Sequence, residues 1–300
     1  MINLQRQKTS ISKHETKNFY LYILPWLLGF IVLTVYPMVY SFILSFTDMH
    51  ISGEGKFVGI DNFTYAFNVD PLFTKALLNT CYYVVMFVPS SLVLAYFIAY
   101  LLSRRIKFQG FFRTVFYLPY VTAGVAVTIL WGWIFNANFG LVNYALSLIG
   151  IKPVNWLGDP NNAMVSIVIM SLWTIGNTII IFLAGIQDIP RSYYESASID
   201  GANSLVQLFK ITIPLTTPTI FFNLVVTIIA AFQIFQQPYI LTLGGPLNST
   251  YTTNMHLFTN GFEYGKLGYA STIGWIMLLI MMVITLLVIG SSKKWVFYDN

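Results

Sequence analysis

The sequence predicts an all-α integral membrane protein with six transmembrane helices, and two observations carry that reading. Only 9% of the residues are charged while 56% are hydrophobic, against about 25% charged in an ordinary soluble domain. So few polar side chains cannot cover a surface facing water, and the mean hydropathy of +0.69 agrees. The second observation is six apolar stretches, each longer than the roughly 20 residues that a helix needs to cross about 30 Å of hydrocarbon.

In chain order the stretches are Tyr20–Phe46, Leu77–Leu102, Val115–Phe135, Met164–Ile186, Thr219–Leu243 and Ala270–Gly290. None contains Asp, Glu, Lys or Arg, as expected where a charge at the bilayer centre costs ~2.5–3.5 kcal/mol on insertion scales. The first is too long for the apolar core of a cleaved signal peptide and no small-residue cleavage site follows it, so it reads as a retained span. A polar arm (residues 1–19), one six-span domain (20–290) and a short tail (291–300) account for the chain. Pro25, Pro37, Pro89, Pro119 and Pro238 interrupt the stretches, which membrane helices tolerate when neighbours satisfy the freed carbonyls.

Lys and Arg set the orientation. The arm holds Arg6, Lys8, Lys13 and Lys17; the connection 103–114 holds Arg104, Arg105, Lys107 and Arg113; the connection 187–218 holds Arg191 and Lys210; the tail holds Lys293 and Lys294. The alternate connections hold only Lys56, Lys75, Lys152 and Lys266. By the positive-inside rule both termini and the connection 187–218 are cytoplasmic.

Several function classes fall away. The net charge of +5 is spread too thinly to make a nucleic-acid face. Charge-free spans are poor material for a proton- or sodium-coupled pump, and His14, His50 and His256 all lie outside the spans, which argues against an intramembrane hydrolase or a metal site. Gly55-Lys56 and Gly265-Lys266 lack the rest of a P-loop. Driven transport would therefore draw its energy from another polypeptide. The lone Cys81, in an apolar run, reads as a small buried hydrophobe.

The connection 187–218 carries the most specific pattern. Ser192 and Glu195 have capping-box spacing, which predicts a short helix starting near Tyr193. Asp200-Gly201 suits its end, because glycine accepts the left-handed conformation. A second short helix is expected to stop before Pro214. Ala197 and Ala202 leave room for a partner to approach closely.

Glu195, Ser196, Ala197, Gly201, Ile211, Ile213 and Pro214 occupy the spacings of the EAA motif. The segment thus resembles that of permease subunits from binding-protein-dependent ATP-binding-cassette importers. Ser196 for Ala and Ile213 for Leu are the departures. Phe57–Phe63, Phe112–Pro119 and Leu243-Gly244-Gly245-Pro246 are similar to stretches of the sugar-importing branch, over residues 20 to 290. The resemblance implies a type I importer permease fold in a bacterial cytoplasmic membrane, as the maltose-F-like half of a heterodimer. Its partners would be a maltose-G-like second permease, two ATPase subunits carrying Mg-ATP and an extracytoplasmic sugar-binding protein, with no cofactor in this chain. It also implies that Glu195, Ser196, Ala197, Asp200, Gly201 and Ala202 form the coupling helix that contacts the ATPase.

A sugar needs amides or hydroxyls for its own hydroxyls and an aromatic surface for its C–H face. Trp173 and Asn177, four residues apart, are expected on one face of the fourth span. Gln233, Gln236 and Gln237 read as one polar stripe on the fifth, leading to Tyr239. Bonds between helices are the bland use of such side chains. A self-sufficient secondary transporter of a neutral solute is the alternative reading, and an intramembrane enzyme a third.

Overall fold

The computed structural model describes residues 13–104, 107–122 and 124–297. Arg6, Lys8 and Arg105 of the charge tally lie outside them. The described chain is helical, with one isolated bridge between Thr47 and Phe57. Three helices are each long and apolar enough to cross a bilayer: α1 (Asn18–Leu44), then, after the short α2 (Asp61–Asn68), α3 (Pro71–Ser103), and later the last helix (Leu267–Ser292).

The middle of the chain is broken into shorter pieces. They are α4 (Gln109–Val121), α5 (Gly124–Ile134), α6 (Leu141–Leu148), α7 (Pro160–Leu172) and α8 (Gly176–Gln187). Next come α9 (Arg191–Ile199), α10 (Ser204–Leu215), α11 (Thr217–Phe232), α12 (Gln236–Thr242) and α13 (Thr253–Phe258), before α14 (Leu267–Ser292). α7 with α8, and α10 with α11, reach spanning length only as pairs, bent by 49° and 66°.

Two prolines are absorbed in the same way. Wide turns at Ile31–Val35 and Leu208–Thr212 precede Pro37 and Pro214, and in each the residue before the proline bonds five residues back, Tyr36 N to Ile31 O and Ile213 N to Leu208 O. A proline ring collides with the carbonyl four residues earlier in an ordinary helix, and a π-type turn moves that carbonyl aside. Pro214 therefore does not stop its helix as the sequence predicts. The helix runs on to Leu215 and breaks at Thr216.

α3 is the central post. It starts where Asp70 Oδ1 accepts from the amides of Leu72 and Phe73 at 3.0 and 3.1 Å, with Pro71 at the first position, where no donor is needed. Along its length Tyr83 and Val88 pack with Met164, Ile167, Ile228, Phe232 and Met277 of α7, α11 and α14. Further on, Ala95 and Ala99 let Ile179, Phe182 and Leu183 of α8 close against it. α1 is fastened mainly at one end: Asn62 Nδ2 donates to Ser45 O and Thr47 O at 3.1 and 2.8 Å, and Thr272 Oγ1 to Ser45 O at 2.9 Å. Most of its apolar surface, including Tyr22, Leu33 and Tyr36, is exposed, the expected state of a helix that is apolar all round and meets lipid or another chain.

Candidate functional site

The first candidate region is the α9–α10 segment. α9 starts at Arg191, directly after Pro190, with no side-chain cap. The predicted capping box is thus not formed: proline supplies a helix-ready φ for the step into the first turn, so Ser192 is already inside the helix. The C-terminal reading holds. Gly201 has φ +78°, its amide donates to Ser198 O at 3.1 Å, and Ala202 N donates to Ala197 O at 2.9 Å. Those two bonds are a Schellman closure. Asn203 then caps α10 by accepting from Val206 N at 2.9 Å.

The turn is rigidly attached behind. Gln207 Nε2 donates to Ser198 Oγ and to Ala202 O at 3.0 and 3.2 Å, and Tyr194 Oη pairs with Thr212 Oγ1 at 3.0 Å. Burial pushes the Tyr194 phenol up, with the Thr212 bond opposing. Tyr100 of α3 donates to Ser204 O at 3.2 Å, and Arg104 lies 4.8 Å over the Tyr100 ring. A groove of about 670 Å³ separates α9 from the end of α3, lined by Arg104, Arg191, Glu195 and Gln207 among others.

In front, the turn faces outward. Glu195, Ser196, Asp200 and Gly201 are exposed and Ala197 and Ala202 half-buried. Around them stand Ile199, 87% exposed, and Leu205 and Phe209, each 65% exposed. Sequence reading missed these three. The signal was available in Ile199, an isolated large apolar residue at the end of a polar helix.

The second region is a pair of helix breaks. α7 ends at Leu172, and Trp173 and Thr174 close it with tight bonds to Met170 O and Ser171 O at 3.0 and 3.1 Å. α8 restarts at Gly176, so Trp173 and Asn177 belong to different helices and do not share one face. α11 ends at Phe232, Gln233 and Ile234 bond three residues back, and α12 begins at Gln236. Gln233, Gln236 and Gln237 therefore do not form one continuous stripe. The physical reason is the same in both places. Spacing rules assume an unbroken helix, and hydropathy does not register a change of φ and ψ.

Unwound backbone inside an apolar stretch persists only where protein or cavity water satisfies it. Thr252 Oγ1 donates to the freed Ile234 carbonyl at 3.1 Å from a buried position. Trp173 is 55% exposed and stands edge-on to Trp131 at 6.0 Å. Tyr239 is packed between Phe235 and Phe258, at 5.1 and 5.5 Å between ring centres. The Gln236 amide is pressed against Gly124, where an added Cβ would lie 2.9 Å from Nε2, and that buried nitrogen has no partner. Gln233 is exposed and Asn177 and Gln237 half-buried. Asn177 and Gln233 make no side-chain hydrogen bond among the described residues, unlike Asn143, whose amide is fully engaged with Ala137, Val154 and Trp156. No group of three or more metal-ligating side chains exists among the described residues.

Residues 71–294 match the family described as the binding-protein-dependent transport system inner membrane component. The chain belongs to that family. It is the membrane permease component of an ATP-binding-cassette importer rather than an enzyme. The chain is 42% identical over 285 residues to the probable ABC transporter permease protein YesP of Bacillus subtilis (strain 168), covering 94% of this chain and 92% of that one. It is 34% identical over 279 residues to the arabinooligosaccharides transport system permease protein AraP of the same organism, covering 89% and 86%. Its fold is similar to that of a bacterial ABC transporter that imports the acidic polysaccharide alginate, with a TM-score of 0.81 at 24% identity over 94% of this chain and 98% of that one. The matched segment contains both the α9–α10 turn and the two helix breaks.

Proposed function

We propose that this permease component carries a sugar or oligosaccharide through the membrane as one half of a heterodimer. In that reading α4 with α5, α7 with α8 and α10 with α11 each make one span, which with the three long helices gives six in the unit 20–290, with both termini and the α9–α10 turn in the cytoplasm. A maltose-G-like subunit completes the pathway, two ATPases supply the energy from Mg-ATP, and an extracytoplasmic binding protein delivers the sugar. The names of relatives such as AraP support the substrate class. The Lys and Arg asymmetry supports the orientation.

The α9 turn, with Glu195, Ser196, Ala197, Asp200, Gly201 and Ala202, is the coupling element. Ile199, Leu205 and Phe209 supply its adhesive surface: burying one such side chain is worth about 1.5–3 kcal/mol, and none of the described residues covers them. The Schellman closure and the Gln207 and Tyr194 bonds make the turn stiff enough to pass a push from the ATPase into α10 and onward, across the Thr216 break, to α11.

The substrate contacts are proposed at the two breaks, with Asn177 and Gln233 as hydrogen-bonding amides and Trp173 as the aromatic surface. Gln236, Gln237 and Tyr239 line the same break from α12. The observation that carries this is the coincidence of unwound backbone with amides that bond nothing among the described residues, since an unpartnered amide at membrane depth costs several kcal/mol. Asn177→Leu and Gln233→Leu should leave the yield of purified transporter near wild type. Each should lower uptake about two- to tenfold, because a lost hydrogen bond costs about 0.5–1.5 kcal/mol. Collapse of the complex in both variants would instead make these amides structural bonds to the second permease.

A further inference from the structure

A buried polar cluster outside both regions joins three elements that sequence keeps apart. Asp70, at the start of α3, accepts on Oδ2 from Tyr269 of α14 at 2.8 Å and faces His256 Nε2 of α13 at 2.9 Å. The same carboxylate caps α3 through Oδ1. The side chains of His256 and Asp70 are only 4% and 12% exposed. We propose that Asp70, His256 and Tyr269 form a proton-sensitive latch, which holds α13 and the start of α14 against the start of α3 at neutral pH and loosens in mild acid.

The surroundings of the imidazole are built for its neutral form. Asn260 Nδ2 lies 3.4 Å from both ring nitrogens, and its donation to His256 O at 2.9 Å fixes which end of the amide faces the ring. The positive end of an N–H dipole therefore opposes a charge on the ring. Tyr251 Oη lies 3.4 Å from Nδ1, placed to donate to a neutral nitrogen while Nε2–H serves Asp70. The aromatic rings of Phe73, Tyr251 and Tyr269 enclose the remainder, with Tyr65 edge-on to Tyr269. Glu263 and Tyr264 act on Tyr251, whose hydroxyl also bonds Thr259. Asp70 is thus the one ionised group directly on the ring among the described residues. It cannot be lost first: burial favours its protonation, but Tyr269, His256 and the two amides outweigh that and hold the carboxyl below its ordinary 3.8.

Burial lowers the His256 proton affinity below the ordinary 6.5, with Asp70 opposing. A group neutral when latched and charged when released binds more protons in the released state, so the latch is at full strength above about pH 6.5 and weakens as pH falls below it. The charged ring regains water only if α13 lifts from α3 and α14. That these elements lie on the extracytoplasmic side rests on the proposed orientation; the latch itself does not.

Hydrogen–deuterium exchange on the assembled transporter in nanodiscs tests the latch. After correction for intrinsic rates, peptides spanning 251–266 should exchange at least tenfold faster at pH 5.0 than at pH 7.5. In His256→Gln, whose amide donates to Asp70 without titrating, that difference should vanish. Equal protection at both pH values in the wild type, or an unchanged pH response in His256→Gln, would overturn the proposal. If His256→Gln does not assemble, Asn260→Asp replaces it: a carboxylate over the ring should move the onset to higher pH, and an unmoved onset would equally overturn it. An outward-facing state or a sugar need not be present, so failure here leaves the transport reading standing.

Discussion

Gly201→Val is expected to abolish coupling while the protein still inserts and assembles. The site is open, with nothing within 4 Å of a built Cβ, so the effect is conformational rather than a clash. At φ +78° an ordinary L-residue loses roughly 1–2 kcal/mol, and a β-branched one fits worst. The turn would relax by giving up the amide bonds of Gly201 and Ala202, which moves Ile199 relative to Leu205 and Phe209. Sugar uptake and the stimulation of ATP hydrolysis by loaded binding protein should fall at least tenfold in reconstituted vesicles. Gly201→Asn, which tolerates the left-handed region, should retain most activity, with Gly201→Ala between. Equal activity of the three variants would mean that the closure of α9 is not what the ATPase reads.

Gly176→Leu should have the largest effect on assembly. A Cβ at Gly176 would lie 2.4 Å from Phe116 O and 2.9 Å from Tyr117 Cα. Both are backbone atoms of α4 and cannot rotate away, so α8 and α4 must separate. Overpacking of this kind costs about 1–3 kcal/mol, occasionally more, and the bend between α7 and α8 ends at the same residue. The expected result is a marked loss of monodisperse complex on size-exclusion chromatography. Gly132→Ala is the control, because its nearest neighbour is the Leu241 side-chain tip at 3.3 Å, which can turn aside. Comparable loss in both variants would show general intolerance instead of one close helix contact.

The contrast between these glycines shows what the sequence made legible. Gly201 was readable because only one local conformation ends a helix at Asp200 and only glycine adopts it without cost. Gly176 was not, since its constraint comes from Phe116, sixty residues earlier. The apolar stretches were readable because charge is excluded from hydrocarbon wherever a helix lies in it. Their breaks were not: Gln233-Ile234-Phe235 is unwound by tertiary partners such as Thr252, which hydropathy does not weigh. Ser192 and Glu195 had the spacing of a cap, but the helix begins at Arg191, directly after Pro190. Pro214 signalled a stop that the wide turn at Leu208–Thr212 removed. His256 sits in the short α13, outside the helices long enough to span, and its meeting with Asp70, 186 positions away, is a property of the fold alone.

Import driven by a partner ATPase is tested by uptake into proteoliposomes containing this chain purified with whatever membrane and ATPase subunits accompany it. Radiolabelled oligosaccharide would be added with and without the binding protein outside and ATP inside. A second permease and an ATPase should co-purify, and sugar should accumulate only when ATP and loaded binding protein are both present. Accumulation by this chain alone, without ATP, would contradict it and establish a self-sufficient transporter.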